Sequence, residues 1–285
     1  MTLSTSPSSP PALVVPAMRL GYFARGVTYL IIGALALLAA WTGREAEGTR
    51  EALETLRGYP WGEIMLWALA VGFLAYAVWR GLAAWYDLEN HGAGLKGTVA
   101  RGGLLVSALI HLGLMVSAAR VAMGAGGGED GEKPRSAASW LLTLPYGGWI
   151  IVGIGAVVVG AGVYQGYKGL SGKYKRHLRL TPWTERLEPL AKAGLLAKGV
   201  ILGLVGGFFV YAGLTADPDH AGGIGEALQS VRSQPYGMGL LTVLALGTVA
   251  FALFCWIEAI YRVVPRCAGP DVRVMTGAPV RQAAG

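Results

Sequence analysis

Long apolar stretches alternate with short polar connections along most of this chain. Six of them, Tyr22–Trp41, Ile64–Tyr86, Val99–Met123, Trp149–Tyr167, Ala193–Leu214 and Met238–Tyr261, reach the roughly 20 apolar residues that a helix needs to cross a bilayer core. None alternates with the period of two that a barrel strand would show. The pattern predicts six transmembrane helices joined by short connections, with little chain left over for a separate soluble domain.

The stretches are related to one another. Gly21-x-x-Ala24-Arg25-Gly26 opens the first, Gly97-x-x-Ala100-Arg101-Gly102 the third and Gly194-x-x-Ala197-Lys198-Gly199 the fifth. Each is followed, after a loop, by Pro60-Trp61-Gly62, Pro145-Tyr146-Gly147 or Pro235-Tyr236-Gly237, which opens the next. Proline suits the first turn of a helix, where its missing N–H has no partner to lose. One two-helix hairpin is thus written three times. A repeat of two spans keeps its orientation, so the copies insert in parallel. They form either a pseudo-threefold bundle or a sequential row. The expected organisation is an N-terminal tail (1–16), repeat 1 (17–90), repeat 2 (91–170), a basic linker (171–192), repeat 3 (193–264) and a C-terminal tail (265–285), both tails being Pro-, Gly- or Ser-rich and disordered. Glu51–Arg57 and Glu226–Arg232 stand at the same offset before their Pro motifs and predict short amphipathic helices at the surface. The second copy instead inserts the glycine loop Gly124–Lys133.

Charge orients the bundle. Of the 24 Lys and Arg residues, 17 fall on the side of the N-terminus, the second and fourth connections and the C-terminus. The positive-inside rule places that side, and both termini, in the cytoplasm. The expected location is a bacterial cytoplasmic membrane, with the first span as an uncleaved anchor. The net charge of +7 is a topology signal; no nucleic-acid motif surrounds the basic residues. Two cysteines, Cys255 and Cys267, form no CxxC pair, so neither a disulfide framework nor a metal site is implied. The 44 glycines gather in and beside the spans, where they let helix backbones approach closely.

The Gly-x-x-Ala-[Arg/Lys]-Gly openings and Pro-aromatic-Gly starts resemble the bacterial membrane family called domain of unknown function 1206, over about Leu20 to Val264. The resemblance implies three tandem two-helix modules in the membrane. It implies no activity.

Candidate functional residues are few. Arg25, Arg101 and Lys198 occupy matched positions, with Gly and Ala on the same helical face. Under threefold packing they would converge on a lipid phosphate or another anion, as basic pockets between helices do; alternatively they snorkel to headgroups and set topology. His111 is the ionisable residue deepest in a span, a position that defaults to a functional hypothesis but equally suits a hydrogen bond to Ser107 or a backbone carbonyl. Gln165, matched to Arg80 and Cys255, would make an interhelical hydrogen bond. No catalytic, metal-ligating or cofactor-binding set is found: there is no Gly-x-Ser-x-Gly, no His-Glu-x-x-His, no phosphate loop and no buried carboxylate pair. The expected role is a non-catalytic module binding lipid, in particular anionic headgroups, or a partner protein. The alternative is a small transporter or channel for an anion along the pseudo-axis.

Overall fold

The computed structural model describes residues 11–42, 46, 48–92, 94–125, 133–267 and 273–276. Six long helices carry the fold: α1 (Val14–Thr42), α3 (Gly62–Trp85), α4 (Leu95–Ala122), α6 (Gly147–Leu170), α8 (Glu188–Thr215) and α10 (Gly237–Tyr261). All six are long and apolar enough to cross a membrane. Three short helices precede the even spans, α2 (Thr49–Arg57), α5 (Lys133–Leu142) and α9 (Ile224–Arg232), and α7 (Pro182–Arg186) precedes α8. The matched segments expected to be helical are α2 and α9. Each has a Glu in its first turn, Glu51 or Glu226, that accepts from the backbone N–H of Gly48 or Gly223 at 3.0 and 2.8 Å. That satisfies one of the free donors at each helix start. In all three Pro-aromatic-Gly turns the glycine lies against a carbonyl of the preceding short helix, of Leu56, Leu141 or Arg232. A side chain there would drive that helix away.

The long helices trace a ring in the order α1, α3, α4, α6, α8, α10, each antiparallel to its neighbours. It has five packed seams, and among the described residues no packed interface joins α4 to α6. A row of hairpins in chain order is ruled out by the packing of α1 on α10, and a closed pseudo-threefold bundle is not formed, since among the described residues α4 and α6, the two helices of repeat 2, do not pack on each other.

Local chemistry accounts for the missing seam. In repeat 1 a Cβ on Gly21 would lie 2.5 Å from Cα of Tyr76, and the methyl of Ala24 occupies the place of a side chain on Gly72. In repeat 3 Gly194 meets the backbone of Phe251 at 2.5 Å, and Ala197 fills the space at Gly247. The second-helix partners stand 12 and 16 residues after the repeat proline. In repeat 2 those positions are Val157 and Ala161. A β-branched residue where the other copies have glycine bars the close approach, and Val157 is 73% exposed. Gly97 packs instead on its own loop, against the carbonyl of Gly92.

Helix α6 is held by α8. Gly148, Gly155, Gly162 and Gly169 recur every seven residues and face Gly213, Gly206, Gly199 and the turn at Lys192–Leu195. At the middle of this seam Gly162 lies against the backbone of Gly199 and Gly203, and Gly199 against that of Gly162 and Gly166. The seam between α1 and α10 uses Gly26, under the indole of Trp256, and Gly33, beside Val249. Trp256 Nε1 donates to the carbonyl of Phe23 at 3.2 Å.

The tails are tighter than the composition suggests. Helix α1 begins at Val14, which is fully buried with Met18 in a core shared with Tyr174, Leu178 and Val264. On the C-terminal side Val274 is buried and bridges Arg179, while Leu178 bridges Arg262. Four backbone bonds sew the fourth connection to the chain after α10: Arg179 to Tyr261 (2.9 Å), Val263 to His177 (2.8 Å), Met275 to Leu178 (2.9 Å) and Leu180 to Arg273 (3.0 Å). Residues 273–276, expected in a loose tail, are therefore part of a cap over the basic face. Within the expected linker, Lys173–His177 is a short 3-10 helix and Glu188 already starts α8. The expected disorder of residues 1–10 and 277–285, and most of the Gly124–Lys133 loop, lie outside the described residues.

Candidate functional site: a cationic and aromatic cluster inside the ring

Arg25 stands 11 residues into α1, about 16 Å along its axis. It is 8% exposed, so it does not snorkel to the surface. Its guanidinium donates to the hydroxyl of Tyr76 and lies 4.6 Å from that ring's centroid. Arg80, one turn further along α3, donates to the same hydroxyl through Nη2 at 2.6 Å and Nε at 3.0 Å, and stacks 4.4 Å over Trp79. Two guanidinium groups thus share one phenol oxygen. Lys198 enters from α8, with its ammonium 4.3 Å from the Phe251 centroid and 5.1 Å from that of Tyr29. Arg25 contacts the same two rings at 5.8 and 6.0 Å. Aromatic faces stabilise desolvated cations by about 0.5–2 kcal/mol each, which is how charge is tolerated here.

The donors outnumber their acceptors. Nε of Arg25 is buried and unpartnered, as is the indole N–H of Trp79. Among the described residues Lys198 has no hydrogen-bond or ion-pair partner, and Lys168 on α6, half-buried, has none either. The nearby carboxylates are already taken. Glu258 and Glu89 both accept from Arg262, Glu89 at 2.6 Å, with all three side chains largely buried. Arg25, Arg80, Lys198 and Lys168 thus face a single net negative charge, the one that two carboxylates sharing Arg262 leave over.

The three cations matched in sequence separate in space. Arg25 and Lys198 come together. Arg101 does not: its Nε donates to the carbonyl of Ala84 at 2.6 Å and its Nη2 to that of Trp85 at 3.3 Å, capping the C-terminus of α3, where a cation is favoured by the exposed carbonyls. Because α4 does not close on α6, Arg101 has no ring to lie over; Ala161 stands where the other copies have Tyr76 and Phe251. His111 Nδ1 donates to the carbonyl of Ser107 at 2.7 Å, which leaves Nε2 as the acceptor in the neutral ring. Its ring lies 4.3 Å from that of Tyr76, at the edge of the cluster. Gln165 is half-buried and makes no hydrogen bond among the described residues. The repeat residues Gly21, Ala24, Gly26, Gly194, Ala197 and Gly199 line packed seams, whereas a Cβ on Gly102 would meet nothing.

Tyr76, Lys168 and Glu89 do not stand out in the sequence, and Arg80 does so only by its match to Gln165 and Cys255. The pairing of Tyr76 with Phe251 was available there, since both lie 16 residues after the repeat proline. Among the described residues no group of three or more His, Cys, Asp and Glu is placed to hold a metal.

Beneath the cluster, His177 in the cap carries a pH dependence. Burial first, and then the charge of Arg262, hold its imidazole down at about 4, with Glu89 and Glu258 opposing and Lys168 adding to the shift. An unfolded chain would titrate near 6.5. Between those values the unfolded state binds more protons, so stability falls as pH is lowered through that window. Burial opposes ionisation of Glu89, but Arg262 and Arg80 overcome it and hold the carboxyl well below the ordinary range. That residue adds its own loss only at lower pH. We expect thermal unfolding in detergent to shift downward from about pH 6.5 towards 4 and His177→Gln to flatten that slope. An identical slope in the variant would contradict the assignment.

The chain matches the family described as Domain of Unknown Function (DUF1206) over residues 20–87, 102–172 and 193–262, one match for each repeat. It is 30% identical over 248 residues to an uncharacterized protein, YxxB, of Bacillus subtilis (strain 168), an alignment that covers 86% of this chain and 90% of the relative. No solved structure matches it significantly.

Proposed function

We propose, for a chain that belongs to the family Domain of Unknown Function (DUF1206), a non-catalytic role in a bacterial cytoplasmic membrane: it binds the phosphate-bearing headgroup of an anionic lipid between Arg25, Arg80, Tyr76 and Lys198. The observation that carries this is the excess of cations over anions, four against one net negative charge, among them a buried Arg25 with a free Nε. A tetrahedral phosphate offers acceptors in several directions and matches donors that converge from α1, α3 and α8; charge-assisted bonds of this kind are the strong ones. The cap formed by residues 173–181, 262–267 and 273–276 stands between the cluster and water on the basic face. That favours a ligand drawn from the bilayer over a free anion, and binding over passage. The basic face is read as cytoplasmic from the distribution of Lys and Arg.

Native mass spectrometry of protein released with its lipids tests this. Wild type should retain phosphatidylglycerol over phosphatidylcholine. Arg25→Gln/Lys198→Gln should weaken retention by tenfold or more, since a hydrogen bond to a charged group contributes about 1.5–3 kcal/mol and about 1.4 kcal/mol is tenfold. Arg101→Gln should leave retention unchanged because Arg101 caps α3. Equal retention in all three proteins would reject the site.

A further inference from the structure

Resting on the headgroup assignment above, we infer that the open seam between α4 and α6 is a lateral portal that admits a phospholipid from the bilayer. The phosphate reaches the Arg25–Lys198 cluster, and the acyl chains stay in the seam against Val157 and Ala161.

The seam is the gap in an otherwise packed ring, and its location is written into the second repeat. Closing it would need Ala100 to seat in a glycine, but Val157 is there. It would also need an aromatic ring to cover Arg101, but Ala161 is there. Both positions are exposed. In copies 1 and 3 the equivalent residues lie under their partner helix, Gly72, Tyr76 and Phe251 buried and Gly247 half-buried, so the face that α6 turns toward the missing seam is known from two internal references. The α6 lip changes in chemistry along its length. Val157 and Ala161 lie toward the opposite face, and Gln165 and Lys168, continuing at helical spacing, lie toward the basic face. An amphiphile with an apolar body and an anionic end fits that gradient, whereas an apolar helix from a partner would leave the polar end unsatisfied.

Depth sets what the site must do. The 29 residues of α1 extend about 43 Å, about 13 Å more than the roughly 30 Å hydrocarbon core. Arg25, about 16 Å along, therefore lies below the level of the bulk phosphates. A lipid entering through the seam draws its headgroup down to the donors of Arg25, Tyr76 and Lys198, which replace the water it leaves.

Photolabelling tests the portal. Protein is reconstituted with phosphatidylglycerol carrying a diazirine in one acyl chain, and in parallel with phosphatidylcholine carrying the same chain. The labelled residues are then mapped by mass spectrometry. We expect phosphatidylglycerol to label α6 around Val157 and Ala161, and the facing stretch of α4, at least tenfold more than phosphatidylcholine does. Val157→Trp/Ala161→Trp fills the seam at exposed positions and should remove that labelling while leaving annular labelling of α1, α3 and α10 intact. Labelling spread evenly over the lipid-facing surfaces of wild type, or indifferent to the tryptophan pair, would overturn the portal. The two ideas fail separately. If phosphatidylglycerol retention depends on Arg25 and Lys198 but labelling avoids the seam, the portal alone is wrong. If retention and labelling both ignore those cations, the headgroup site is wrong and the portal falls with it.

Discussion

Arg262→Met will destabilise the protein by about 3–5 kcal/mol, the range for removing one partner from a buried ion pair. Arg262 is the shared partner of Glu258 at the end of α10 and Glu89 in the second connection, with side-chain exposures of 5%, 6% and 11%. Without it two desolvated carboxylates face each other. Arg80 and Lys168 are near enough to soften the loss, but Arg80 is committed to Tyr76 and Trp79. The same residue bridges Leu178 through its backbone, so the side-chain network and the cap meet at one point. Thermal or denaturant unfolding in detergent measures the effect. The exposed Arg176 is the control, and its replacement by Met should stay within about 0.5 kcal/mol, as surface changes usually do. Adding Glu89→Gln and Glu258→Gln to Arg262→Met should recover most of the loss, because the penalty belongs to unpaired charges more than to missing contacts. A mild Arg262→Met, or a triple variant as unstable as the single, would show that the three groups are solvated.

Much of this arrangement was legible in the sequence, and the parts that were not share a cause. Apolar runs and matched motifs gave six spans and three repeats, since burial in lipid demands both length and composition. The ends were placed too far in. α1 starts at Val14 and α8 at Glu188 rather than at Tyr22 and Ala193, because a cation near a span reads as an interface residue. Here Arg25 and Lys198 lie two to three turns inside their helices, and the protein itself supplies their surroundings with Tyr29, Tyr76 and Phe251. The convergence of two of three matched cations was not legible from the motif alone, because it depends on which seams close. The decisive residues, Val157 and Ala161, are inconspicuous until aligned on the repeat proline. The pairing of residues 273–275 with 178–180 runs through backbone groups and leaves no side-chain signature to read.

Gly155→Leu/Gly162→Leu will separate α6 from α8. A Cβ on Gly155 would lie 2.7 Å from the carbonyl of Gly206, and one on Gly162 would lie 2.7 Å from that of Gly199. Both obstacles are backbone, so no rotamer change relieves them, and overpacking of this kind costs about 1–3 kcal/mol per site. Lipid tails are as apolar as the leucines, so no hydrophobic gain offsets the lost contact. Among the described residues no second long helix packs on α6 to hold it in place. Gly153→Leu/Gly160→Leu is the matched control, because a Cβ at either position meets nothing within 4 Å. Spin labels at the exposed Val157 and Tyr211 report the separation. The control should keep the narrow wild-type distance distribution, and the zipper variant should broaden it and shift it to longer distances. Identical distributions in the two variants would mean that the glycines facing each other at seven-residue intervals are not what joins these helices. The same variant separates structure from ligand. Loosening α6 moves one lip of the seam and displaces Lys168, yet Arg25 and Tyr76 stand on α1 and α3, which do not pack on α6, and α8 keeps its seam with α10, so some headgroup affinity should survive where Arg25→Gln/Lys198→Gln removes it.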